Sequence, residues 1–124
     1  MPHALTDLPR CRFIIPRPPS TNALYANVLG KGRVKTKRYR TWIDEAGWEI
    51  KIHHMPLPHF DGDVEIEIAG IGKLDVDNTK AIPDLLKSLG ILNDDKQIVR
   101  QTTERIAPSW FSLDRSVLVS IWPR

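Results

Sequence analysis

Val64-Glu65-Ile66-Glu67-Ile68 alternates apolar and acidic residues, and Ile82, Leu85, Leu86 and Leu89 then recur at the spacing of one helical face before Gly90. The first pattern has the two-residue period of a strand, so Val64, Ile66 and Ile68 are expected to face inward and the two glutamates outward. The second pattern is that of an amphipathic helix, with Gly90 just past its end, where a left-handed residue closes the last turn. Pro83 is awkward unless the regular helix starts at Pro83 itself, because an interior proline removes a backbone hydrogen bond and costs ~3 kcal/mol. A further strand is expected over residues 98–106, and the turns on either side of the helix are read as a hairpin-like return to one sheet end.

The rest of the chain is read outward from this unit. Residues 12–15 make a short strand stopped by Pro16 and by Pro18-Pro19, which cannot donate to a ladder. Residues 25–29 and 33–35 flank Gly30-Lys31-Gly32, which suits a three-residue hairpin turn needing positive φ. From Tyr39, apolar residues at Trp42, Ile43, Ala46 and Ile50 predict a helix to about His53. Thr41, with Asp44 three residues on, resembles a capping box. Thr36 as the cap would draw Lys37 and Arg38 into the first turn against the helix dipole, an arrangement that makes sense where a phosphate docks. Trp48 and Ile52 form a second apolar strip, read as core edge rather than subunit contact. Residues 117–122 predict a closing strand after a turn around Pro108-Ser109. The order β, hairpin, α, β, α, β, β describes one small α/β domain of α+β type over residues 1–124, with a mixed sheet and two main helices.

Length and composition limit what this domain can be. A chain of 124 residues with 41% hydrophobic and 27% charged residues has room for one core and is not disordered. It holds no apolar run near bilayer length and no apolar centre of a signal peptide before Arg10, so a cytoplasmic protein with no membrane partner is expected. The single Cys11 closes no intrachain disulfide, and the prolines of the 53–59 His-rich stretch speak for a solvated loop rather than a metal site. Residues 1–60 carry ten lysines and arginines against four acids, and residues 61–124 carry eight against eleven. Lys31, Arg33, Lys35, Lys37, Arg38 and Arg40 place six cations in ten residues with no acid among them, a density that suits a polyanion.

The acids are grouped as well. Asp75-Val76-Asp77-Asn78 precedes the second helix and Asn93-Asp94-Asp95 follows it. Residues two apart on extended chain point the same way, so Asp75 and Asp77 can share a ligand. Crowded carboxylates repel one another, and a hard divalent cation such as Mg²⁺ relieves them while keeping waters for a phosphate to displace. Such an ion polarises a phosphodiester and activates water, and Lys80 supplies a nearby cation for charge developing on the phosphate. Taken singly, each acid pair also suits an ordinary turn or cap.

Asp75-Val76-Asp77-Asn78, Lys80, Asp84-Leu85-Leu86, Gly90-Ile91 and Asp94-Asp95-Lys96-Gln97-Ile98-Val99 together resemble the core signature of RusA-type Holliday junction resolvases. Pro18-Pro19-Ser20-Thr21-Asn22-Ala23-Leu24-Tyr25 resembles that family's N-terminal Pro-Pro-Ser-x-Asn segment. The resemblance implies a homodimeric, Mg²⁺-dependent endonuclease that cuts two opposed strands of four-way junction DNA. It further implies that Asp75, Asp77 and Asp95 hold the metal with Asp94 as an extra member, that Lys80 assists at the phosphate, and that the 31–40 cations contact the DNA backbone. In one respect the chain departs from the family pattern: Lys80 follows Asp77 by three residues where the family has four. A junction-binding protein that does not cut, and a phosphoesterase acting on a small substrate, are the alternative readings.

Overall fold

The computed structural model describes residues 8–19, 24–71, 80–106 and 116–124. In chain order its elements are β1 (Cys11–Pro16), β2 (Tyr25–Val28), β3 (Gly32–Lys35), α1 (Lys37–His53), β4 (Val64–Ile71), α2 (Ala81–Ser88), a 3-10 turn (Asp95–Gln97), β5 (Ile98–Ile106) and β6 (Ser116–Pro123). Two helices, a mixed four-stranded sheet and a separate two-stranded ribbon make the protein α+β, the class its sequence implies. Asp75 and Asp77, and the turn expected around Pro108-Ser109, lie outside the described residues. Among the described residues no helix is long and apolar enough to cross a membrane.

The sheet has the order β1-β6-β4-β5. Pairing of Phe13 with Val119, Ile15 with Val117, Ile66 with Ile121 and Ile68 with Val119 turns one row of apolar side chains from each of three strands to the same face. Both helices cover that face, α1 through Tyr39, Trp42, Ala46 and Ile50 and α2 through Ile82, Leu85 and Leu86, all buried. Each large side chain so buried contributes about 1.5–3 kcal/mol relative to an exposed one. The Trp42 indole fastens α1 to the end of β1 by donating to the Pro16 carbonyl at 2.9 Å.

Several local expectations are revised. β4 and β5 run parallel, Val64 lying beside Ile98, so α2 belongs to a crossover and not to a hairpin-like return. The 94–95 acids therefore lie at the sheet end where β4 begins. Glu65 faces away from the helices as the alternation implies, but it is buried there and not solvated: Trp122 pairs beside it on β6, and the Arg124 guanidinium reaches its carboxylate at 2.7 Å. Trp48 and Ile52 are 65% and 55% exposed and form no core edge, since the core face of α1 is already filled by the Trp42 to Ile50 stripe. Helix α2 starts at Ala81, which puts Pro83 in the first turn, where a missing N–H costs no intrahelical bond.

The closing turns agree with the sequence. Gly90 has φ 76°, and the Gly90 and Ile91 amides donate to the Lys87 and Leu86 carbonyls, the paired bonds that end a helix on a left-handed residue. Gly30 and Gly32 have φ 80° and 72° in the tight connection between β2 and β3.

Candidate acidic cleft and basic ribbon

The six cations divide between two elements. Lys31, Arg33 and Lys35 are exposed on the β2–β3 ribbon, whereas Lys37, Arg38 and Arg40 are exposed on the first turn of α1. Thr36 is the cap of that helix: its hydroxyl oxygen accepts from the Tyr39 amide at 3.1 Å, and its own amide donates to the Leu24 carbonyl at 2.9 Å. Thr41 lies inside the helix. Lys37 and Arg38 consequently occupy the first turn, which holds no acid.

One face of the ribbon meets two tyrosines. The Arg33 guanidinium lies 4.4 Å from the centre of the Tyr25 ring and the Lys35 ammonium 5.4 Å from that of Tyr39. The two rings meet edge to face at 5.7 Å. Their hydroxyls converge on a single oxygen of Asp84, with Tyr39 donating at 2.8 Å and Tyr25 at 3.5 Å. Burial, reinforced by Asp84, pushes the Tyr39 hydroxyl well above its ordinary range, so it stays a donor.

Beneath the ribbon is a cleft of about 470 Å³ lined by Tyr25, Arg33, Lys80, Pro83, Asp84 and Asp95, among others. Two site residues expected from the sequence, Lys80 and Asp95, thus share one cavity with a ribbon cation. Lys80 directly precedes α2 and its side chain makes no capping bond. Asp95 opens the 3-10 turn, and Asp94 is the cap of that turn, its carboxylate accepting from the Lys96 amide at 3.3 Å. Gln97 completes the cap: its carbonyl oxygen accepts from the Asn93 and Asp94 amides, and its amide donates to the Phe60 and Gly62 carbonyls at 2.7 and 2.8 Å. The acidic turn is in this way pinned to the segment leading into β4.

Asp94 and Asp95 share a hydrogen bond that holds Asp94 below the usual carboxylate range, with help from the Lys96 amide. The same bond pushes Asp95 above that range, and the negative charges of Asp94 and Asp84 act in the same direction. Like-charge crowding of this kind is what a bound cation relieves. Among the described residues, however, no group of three or more His, Cys, Asp or Glu is placed to hold a metal ion.

A larger cleft of about 650 Å³ lies at the start of α1 between Arg17, Pro18, Pro19, Lys37, Arg38 and Trp42. Among the described residues its only acid is Glu45, so it lacks the paired carboxylates of metal-assisted phosphate chemistry. The His-rich loop is used structurally: His59 bonds the Gly90 carbonyl at 2.7 Å and Asp61 at 2.8 Å, and His54 meets the Phe13 ring edge to face. Burial pushes the Cys11 thiol up to about 11, which leaves it unreactive at neutral pH.

Asp84 and its two tyrosines are the part of the cleft that sequence reasoning missed. Asp84 stands in the signature quoted above without a role, and its tyrosine partners come from distant segments. No protein-family model matches the chain, and no curated protein matches it. The class stands on the fold and cleft alone: an α+β domain with a cavity that holds two acids and two cations under a basic ribbon.

Proposed function

We propose that the protein is a Mg²⁺-dependent, structure-selective endodeoxyribonuclease of the RusA type, acting as a homodimer to resolve four-way DNA junctions by paired phosphodiester hydrolysis. The observation that carries this reading is the meeting of Lys80, Asp84 and Asp95 with Arg33 in one cleft, beside a run of exposed cations. Phosphodiester hydrolysis needs negative groups for a metal and positive groups for the DNA backbone within reach of each other. The six cations exceed what a single small anion requires, which favours a polymer over a small substrate.

The donor chemistry suits Mg²⁺, since the described lining of the cleft offers carboxylate oxygens and no thiol or imidazole. Asp75, Asp77 and Asp95 would hold the ion, with Asp94 beside them, and the ion would supply Lewis acidity and an activated water. Lys80 neutralises charge gathering on the scissile phosphate, and the ribbon and α1 cations hold the flanking backbone. Two-fold symmetry of a dimer would present one cleft to each of two equivalent strands.

Cleavage of an end-labelled four-way junction, with linear duplex alongside, tests the reading. Wild type with Mg²⁺ should give paired symmetric cuts in the junction only. Asp77→Asn and Asp95→Asn should each lower cutting by at least ~10²-fold, the scale for losing a charge-stabilising group, while junction binding persists. Full activity in either variant would remove that residue from the metal site. Tight binding without cuts in wild type would make the protein a junction binder, and the shortened Asp77 to Lys80 spacing would be the first cause to test.

A further inference from the structure

Asp84 lies where three elements meet. It stands in the first turn of α2, four residues after Lys80, and its carboxylate receives Tyr39 from α1 and Tyr25 from the ribbon. The two contacts differ in quality. Tyr39 is fully buried and bonds at 2.8 Å, so its position is set by packing. Tyr25 is half-buried, bonds at a long 3.5 Å and carries Arg33 on its ring. An exposed cation–π contact of this kind is weak. A phosphate oxygen offers a guanidinium a shorter, charge-assisted and stronger partner.

We infer that Tyr25 and Asp84 form a sensor that ties the state of the cleft to occupancy of the basic ribbon. Backbone phosphates that engage Arg33 and Lys35 fix the ribbon over the cleft, close Tyr25 onto Asp84 and order the first turn of α2, which follows Lys80 directly. Asp84 is then a positioning residue: it acts on the reacting phosphate through Lys80 and the helix start, without touching it. The effect is reciprocal, so an ordered α2 also tightens the grip of the ribbon on DNA. This inference rests on the nucleic-acid reading above and adds to it a regulation of the same site.

Hydrogen–deuterium exchange of the full chain, with and without four-way junction DNA and with no divalent metal present, tests the sensor apart from cleavage. In wild type, DNA should slow exchange both in the ribbon and in the amides of residues 84–88, the latter by about fivefold or more. Tyr25→Phe keeps the ring under Arg33 and removes only the hydroxyl. In that variant the ribbon should still be protected by DNA and the slowing in α2 should be lost. Asp84→Asn should lose it as well. Equal slowing of α2 in wild type and Tyr25→Phe, or protection in wild type confined to the ribbon, would overturn the sensor while leaving the DNA reading intact. An unprotected ribbon in wild type would overturn the DNA reading, and the sensor with it.

Discussion

The two helices treat their own dipoles in opposite ways. Helix α2 answers the Lys80 cation at its cap with Asp84 in its first turn, and its other end is matched by Lys87 in the last turn and the His59 ring on the Gly90 carbonyl just beyond. Helix α1 is matched only at its C-terminal end, by Lys51 and His53, and begins with Lys37 and Arg38 and no acid. Each cation near a helix start opposes the partial positive charge there by about 0.3–1 kcal/mol. Where one helix offsets a cation at its start with an acid and its neighbour places cations there with none, the unbalanced turn marks a place where charge serves something besides folding. At the start of α1 that charge continues a basic run which begins on the ribbon.

The comparison breaks most visibly if the basic run binds nothing. Neutralising Lys35, Arg38 and Arg40 together to Gln should flatten the logarithmic salt dependence of junction binding by about 3, one for each phosphate that no longer meets a cation, with far-ultraviolet dichroism unchanged. Unchanged affinity and slope in an anisotropy titration across a salt series would reduce these cations to solvated surface. The start of α1 itself supplies a test of opposite signs. Thr36→Ala should cost ~1 kcal/mol in denaturant unfolding by removing the cap, whereas Arg38→Glu should gain a few tenths to ~1 kcal/mol at low salt while weakening DNA binding. An Arg38→Glu protein no more stable than wild type would mean that no dipole conflict exists there.

The smallest effect belongs to α2. The Gly90 carbonyl, and then Asp61, push the His59 imidazole above its ordinary value of 6.5. A raised folded value means that the added stability is fully present below the unfolded value and is lost as pH rises through the folded one. A proton NMR titration should place the His59 midpoint above 6.5, and His59→Gln should remove a small fall in melting temperature between mildly acidic and mildly alkaline buffer. A midpoint at or below the ordinary value would show that the ring spends its time away from Gly90.

What the sequence made legible was local in origin. The alternation of residues 64–68, the α2 stripe, Gly90 and the two ribbon glycines each express a conformational rule within a few residues, and each stands where it was read. The failures share a non-local cause. The burial of Glu65 depends on Trp122 and Arg124, more than fifty residues away, and no local pattern announces that β4 takes β5 as a parallel partner. The choice of Thr36 over Thr41 follows from the Leu24 carbonyl, which receives the Thr36 amide. In the cleft, Lys80 and Asp95 were found by their chemistry, Asp84 was passed over because its partner Tyr39 is 45 residues upstream, and Asp75 and Asp77 lie outside the described residues.

Strand β6 is the last of the six described strands in chain order, yet it lies between β1 and β4. On the ribosome, β1 therefore waits for its described neighbour: the 108 positions separating Arg12 from Ser120 take about 5–20 s to translate. During that interval the apolar side chains of Phe13 and Ile15 have no strand beside them, and a holding chaperone has its opportunity. A premature stop before residue 116 would yield no shortened but folded protein, because the strand that joins the two halves of the sheet would be missing. Such a fold comes with its own quality check, since only chains synthesised as far as β6 can close.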